Sequence, residues 1–319
     1  MEEPAGQRRV ANTIPHARWN FTVLAADSAL FGLGLSFISW VTIVPAFLKE
    51  LGASNVEIGL ISVATATGFA LPPIFVARYT QRLERKSPFV LVWTVWERLP
   101  SGILALLALL AARSHPTLTL WLALGLIALQ TTVGGFLTPA WLDMIARAVA
   151  MRSRGRFFGW SSAAAGALGF LGSLLSQRLL DRFGFPDGYA ACFGLACGCF
   201  MVSYVFLALN KEVFPQGMGE TSGPSIGYLR ELATVLRTHK DFTRFLFARC
   251  LSAFSGAASV FYTVLAMATV SEAASNVGLL TGWLLAATTV ANSCWGSVAD
   301  RAGHKVTLVV GQALSTVSL

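Results

Sequence analysis

Four ionisable residues, Asp27, Glu97, Arg98 and Arg249, lie deep inside long apolar stretches of this 319-residue chain. A charged side chain facing hydrocarbon would cost kilocalories, so each must look onto an interior partner, a cavity or an ion. Glu97 and Arg98 stand about ten residues into their stretch, near the middle of a bilayer-crossing helix, and as sequential neighbours they point about 100° apart. They cannot simply neutralise one another. A carboxylate in that position is a candidate for proton coupling, because desolvation favours its neutral form and a nearby cation its charged form. A buried structural pair is the competing reading. Asp143 differs in lying near the end of its stretch.

The elements that must position these groups are membrane helices. Hydrophobic residues make up 55% and charged residues 13% of the chain, more apolar surface than a soluble core uses. Apolar stretches run from about Phe21 to Leu48, Glu57 to Thr80, Phe89 to Ala112, Leu118 to Ala146, Phe157 to Leu180, Tyr189 to Leu209, Phe242 to Val270 and Val277 to Val298, and a ninth begins at Val306. Each complete stretch has the roughly 20 residues that a helix needs to cross about 30 Å of hydrocarbon. Helices satisfy their backbone groups internally, whereas membrane strands would be shorter and alternate in polarity. The fold class is an all-α polytopic membrane protein.

Orientation follows from the basic residues. With the N-terminus in the cytoplasm, eighteen lysines and arginines fall on the inner side, against Lys49, Arg113, Arg178 and Arg182 on the outer. The net charge of +8 then reflects inner loops against anionic lipid headgroups, and nucleic acid is not expected as a partner. The polar first twenty residues and the length of the first stretch argue against a cleaved signal. All five cysteines fall inside apolar stretches without ligand spacing and read as packing residues, so no metal and no cofactor is expected. Arginine outnumbers lysine, which leans toward a bacterial plasma membrane.

The chain divides into a cytoplasmic tail (1–20), a six-helix bundle (21–209), a polar linker (210–241) rich in proline and glycine, and a further set of helices (242–319). Within the linker, Ile226, Leu229, Leu232, Val235 and Leu236 recur at helical spacing, the pattern of an amphipathic helix on the inner surface. Asn20 to Lys86 can be laid over Arg244 to Lys305, which brings Asp27 and Arg249 to matching places. That match suggests an ion pair between the two halves or a site that orients a charged substrate. Gly194-x-x-x-Gly198 and Gly278-x-x-x-Gly282 read as faces for close helix contact, and Pro45, Pro72, Pro73, Pro100 and Pro139 as kinks. Trp40, Trp93, Trp96, Trp141, Tyr262 and Trp283 could stack on a ligand, although packing and interface anchoring are the commoner uses.

A compact basic turn, Gly296, Asp300, Arg301, Gly303 and Lys305, lies between the eighth and ninth stretches. It matches Gly-x-x-x-Asp-Arg/Lys-x-Gly-x-Arg/Lys, and in this setting the chain resembles the major facilitator superfamily. The equivalent turn between the second and third stretches is degenerate, with Arg78 inside it, Gln81 at the aspartate, Arg82 retained, and Arg85 and Lys86 at its basic end. Arg154-Gly-Arg156, opening the fifth stretch, is a further similarity. The resemblance implies two six-helix bundles, of which this chain holds the first and part of the second, roughly nine of twelve helices, so a shortened chain is expected. It also implies that Asp300 latches the bundles by accepting amides at the N-terminus of the fifth helix, worth about 1 kcal/mol. Gln81 cannot supply that charge.

The function implied is secondary active transport of a small solute by alternating access, proton-coupled and possible as efflux, with substrate, coupling ion and membrane lipids as partners. No Walker loop, zinc His-Glu-x-x-His or serine elbow occurs, which disfavours a pump or an enzyme. A non-transporting sensor, scaffold or inactive remnant is the alternative.

Overall fold

The apolar stretches become helices whose ends follow local capping chemistry. The computed structural model describes residues 16–212, 236–257, 259–269 and 276–302, with isolated positions at 234, 306, 309–311 and 313–314. Its helices are α1 (Ala17–Phe37), α2 (Ile43–Glu50), α3 (Asn55–Ala70), α4 (Pro72–Arg82), α5 (Ser87–Leu110), α6 (Pro116–Ala148), α7 (Arg154–Phe183), α8 (Asp187–Ala208), α9 (Lys240–Ala257), α10 (Ser259–Thr269) and α11 (Val277–Ala302). Six spans are long and apolar enough to cross a membrane, namely α1, α3 with α4, α5, α6, α7 and α8. The described helices of the C-terminal half fall short of that combination of length and apolarity. The protein is therefore an all-α, polytopic membrane protein.

Two stretches differ from their sequence expectation. The first, expected as one stretch from Phe21 to Leu48 with a kink at Pro45, is instead interrupted: α1 ends at Phe37 and the chain resumes as α2 at Ile43. Pro45 accounts for the break, because it has no N–H to give the Val41 carbonyl and its ring would clash there. That carbonyl instead accepts the Thr263 hydroxyl of α10 at 2.9 Å. The seventh stretch is described as α9 and α10 on either side of residue 258. By contrast, Pro72 and Pro73 divide the second span at Leu71 as expected, and α3 opens on a capping box in which Ser54 and Glu57 satisfy each other's backbone amides.

Within the six-span bundle, α1 packs between α7 and α8, α8 also meets α5, α5 meets α6, and α6 covers α3 and α4. The starts of α1, α5 and α7 and the ends of α4, α6 and α8 share one side, which carries Arg82, Arg85, Arg147, Arg154 and Arg156 and is here the arginine-rich face. Asn20 and Lys211 exchange a reciprocal pair of hydrogen bonds at 2.8 and 3.0 Å there, while the Glu212 carboxylate accepts the Lys86 and Ser87 amides at 2.6 and 3.1 Å. The chain leaving α8 thus ties the starts of α1 and α5 together.

The opposite half is packed around a short helix, beside a smaller cavity of about 180 Å³ that Trp40, Val41 and Thr281 help to line. Short α2 is a plug whose Ile43, Val44, Ala46, Phe47 and Leu48 are fully buried, with the Phe47 ring centroid 5.3 Å from those of Tyr189 and Phe193. Residues 260–293 belong to the same compact unit and close on this half. The Gln177 carbonyl accepts the Gly278 and Leu279 amides at 2.8 and 3.2 Å, and Thr42 and Thr281 share a 2.5 Å hydrogen bond. Added Cβ atoms at Gly278 and Gly282 would fall 2.6 Å from Gln177 Cα and 2.5 Å from Ser173 Oγ, so close approach requires glycine at both. The Gly194-x-x-x-Gly198 expectation is corrected: both are exposed, and a Cβ at either would meet nothing within 4 Å.

The second compact unit comprises 215–259 and 294–319. Its α9 carries an exposed Asp241–Arg244 pair at 3.3 Å. Most of the expected amphipathic segment 226–239 lies outside the described residues.

Candidate functional site

A cavity of about 240 Å³ lies in the bundle half nearer the arginine-rich face. Val90 and Leu207, close to the ends of α5 and α8 on that face, form one part of its wall; Phe31, Phe69 and Gly134 form the part nearer mid-bundle. The polar groups on it come from α1, α5 and α6 at helical spacing. Thr94 and Arg98 are four apart on α5 and therefore share a face, while Glu97 is turned from Arg98 as expected of neighbours.

Arg98 is 2% exposed and Asp27 is 4% exposed. Arg98 donates to Asp27 Oδ1 at 3.2 Å, to Ser203 Oγ at 3.0 Å, to the Phe200 carbonyl at 2.9 Å and to Thr94 Oγ1. Ser203 Oγ donates to the same Asp27 oxygen at 2.5 Å. The guanidinium also lies 5.4 Å from the Phe31 ring centroid, a favourable cation–π distance. Asp27 and Arg98 thus form a desolvated, hydrogen-bonded ion pair joining α1 to α5 and α8. Among the described residues the partner of Asp27 is Arg98, at a sequence separation of 71. The Arg249 side chain lies outside the described residues.

Glu97 is half-buried on the cavity wall, and the Thr94 hydroxyl donates to its Oε2 at 3.2 Å. Among the described residues no lysine, arginine or histidine lies within ion-pair distance of it. Gly134 makes room for it: a Cβ there would stand 2.9 Å from both Glu97 Oε1 and the Phe69 ring. The hydroxyls of Ser28 and Thr138 are spent on the carbonyls of Leu24 and Gly134 at 2.9 and 2.8 Å. The rest of the lining is apolar, with Phe31, Phe69 and Trp141 as its rings. Of the aromatics singled out in the sequence, Trp141 alone is among this lining. Trp40 packs 5.7 Å from Phe69, and Trp93, Trp96, Tyr262 and Trp283 are exposed on the apolar periphery.

A second charged cluster lies at the arginine-rich end. Lys86 is buried; it donates to the Thr80 carbonyl and pairs with Asp143 Oδ2 at 3.2 Å. Burial holds its ammonium below the usual lysine range, against the opposing pull of Asp143. Arg147 reaches the same carboxylate at 3.0 Å and the Glu84 carbonyl at 2.9 Å. The basic end of the degenerate turn is therefore partly corrected: Lys86 points inward, whereas Gln81, Arg82 and Arg85 are exposed and Arg78 is half-buried. Arg154 caps the end of α6 through the Ala146 carbonyl at 2.6 Å, and Arg156 is exposed.

In the other turn, α11 continues to Ala302, so Gly296, Asp300 and Arg301 are helical and not in a turn. Their side chains, together with Gly303 and Lys305, lie outside the described residues. Sequence reading missed Ser203, Phe69 and Gly134. Thr94 was legible in retrospect from its i, i+4 relation to Arg98.

The family model of the Major Facilitator Superfamily matches residues 28–319. No curated protein matches the chain. The match covers most of the sequence, from within α1 onward, which sets the protein among membrane transporters and apart from enzymes. The chain belongs to the Major Facilitator Superfamily.

Proposed function

We propose that this protein is a secondary active transporter that moves a small solute by alternating access through the Asp27–Glu97–Arg98 cavity, coupled to protons. The observation that carries the reading is a charge imbalance. Two carboxylates and one guanidinium share the cavity, and the guanidinium is paired with Asp27 and gives four of its five N–H groups to Asp27, Ser203, Thr94 and the Phe200 carbonyl. Glu97 is left as the group that can bind and release a proton without dismantling the bundle, since a buried carboxylate lacking a cation is costly unless neutralised.

The basic residues support a cytoplasmic arginine-rich face and N-terminus, in a plasma membrane. With that orientation, the larger cavity toward the arginine-rich face and the plugged opposite half favour an inward-facing arrangement. We assign 21–209 to the first bundle, 210–241 to the linker and 242–319 to the second bundle.

Proteoliposomes containing the full chain, with an imposed pH gradient and an internal pH dye, test this reading. A panel of organic cations, organic anions, sugars and short peptides is added in turn. At least one solute class should collapse the gradient with the wild type, and Glu97→Gln should abolish the collapse while the protein remains folded. Collapse by no member of the panel, or equal collapse by the variant, would overturn it.

A further inference from the structure

Charge, shape and hydrogen-bond supply in the cavity together restrict what can occupy it. Among the described residues, the titratable groups in and around it are few, and the charge balance is theirs. Asp27 comes from α1, Glu97 and Arg98 from α5, and Tyr204 from α8 lies with its ring centroid 5.9 Å from the Arg98 guanidinium; α3 and α6 contribute none to the lining. With the acids ionised, the site carries one uncompensated negative charge, at Glu97.

An anion would therefore add a second uncompensated charge, and Arg98 has little to offer it, with four of its five N–H groups already given to Asp27, Ser203, Thr94 and Phe200. A sugar or other polyol needs many donors and acceptors, yet Ser28 and Thr138 already donate to carbonyls of their own helices. A small inorganic cation needs a shell of oxygens to replace its water. Here it would find one carboxylate without a cation, a second already paired with Arg98, and three hydroxyls already hydrogen-bonded within the bundle, set in an otherwise apolar wall.

We propose that the cavity takes a monovalent organic cation with a flat apolar body, its charge against Glu97 and its rings against Phe69 and Trp141. Such an ion already wears an apolar shell, so its desolvation costs little, and its charge gains from both the carboxylate and the ring faces. The Glu97 carboxylate and the Phe69 ring stand side by side across from Gly134, which is the juxtaposition such a ligand needs. This inference rests on the transporter reading and specifies its substrate. The exchange balances as one cation bound by protonated Glu97 with one proton released, so solute and proton travel in opposite directions, and an inward proton gradient drives export.

The test uses three probes of nearly equal shape, N-methylquinolinium, 1-methylnaphthalene and 2-naphthoate, with the purified full chain in nanodiscs. Equilibrium binding is measured in weak buffer with a pH indicator. The cation should bind with release of about one proton, and at least about tenfold more tightly than the neutral and anionic probes. Glu97→Gln should lose about tenfold or more in cation affinity and all proton release, with its melting temperature recorded to show that it folds. Glu97→Asp, which keeps the charge, should retain proton release and guards against a misfolded Gln variant. Equal binding of the neutral or anionic probe, absence of cation binding, or unchanged binding by folded Glu97→Gln would each overturn the proposal. If another solute class collapses a pH gradient in a Glu97-dependent way while the cation does not bind, the substrate assignment fails and the transporter reading stands. If no solute collapses the gradient, the transporter reading fails as well.

Discussion

The two ends of the bundle are held by different forces. Toward the arginine-rich face, helices α1, α5 and α8 meet through the buried Asp27–Arg98 pair around a cavity. At the opposite end the bundle meets residues 260–293 through glycine contacts, one amide bridge and a threonine pair, without a charge between them among the described contacts. Ion-pair geometry of this kind is demanding: a desolvated pair is tolerated only while both partners stay in place. The opposite seam is made of weak, replaceable contacts, whose amides and hydroxyls can turn to water when it parts. The charged end is suited to hold a site, and the uncharged end is suited to open and close.

The sharpest way to break this contrast is at Arg98. Arg98→Leu leaves Asp27 buried without its cation and should lower stability by about 3–5 kcal/mol, read as a loss of monodisperse folded protein on heating. Pairing it with Asp27→Asn should restore part of that loss, because no lone charge remains. If the single variant is as stable as the wild type, the pair does not hold the cavity half together.

A smaller effect is expected at the seam. Gly278→Val drives a side chain into the Gln177 backbone and should cost about 1–3 kcal/mol, with the loss confined to the contact with α11. Gln177→Leu removes the acceptor for two amides at the start of α11. Its cost should be about 1 kcal/mol, because water can take over helix N-terminal amides once the seam loosens. The Gln177 side chain is oriented by Asp181, which accepts its Nε2 at 2.7 Å and so turns its oxygen toward α11. The smallest effect belongs to Gly194→Val, which should stay within about 0.5 kcal/mol, since nothing stands where the new side chain goes. A large loss there would mean that the exposed face of α8 has a partner.

The pairing of Gly194 with Gly278 also marks where sequence reading stops. Both lie in the same glycine spacing, and spacing places residues on one helix face without saying which neighbour covers it. Helix ends were legible to within a few residues because caps and prolines act locally, as at Ser54, Pro72 and Pro116. The break before α2 was also local, written in Pro45, but the apolar run through it concealed the interruption. The charged site was legible only as a set of costly residues. Asp27, Arg98 and Ser203 are separated by 71 and 105 residues along the chain, and their meeting depends on α1, α5 and α8 being neighbours, which no residue spacing states. The weak repeat compares positions and not neighbours, so it did not bring Asp27 and Arg98 together.

The central claim is that one cavity is reached from one face at a time. Thr138 lines that cavity, so Thr138→Cys in a background lacking the native cysteines can be probed with a membrane-impermeant thiol reagent applied to each face of sealed vesicles. The expected result is modification from the arginine-rich face and protection from the opposite face, with Gly278→Val making the same cysteine reachable from the opposite face. Equal modification from both faces in the unaltered seam, or no change in access on introducing Gly278→Val, would contradict it.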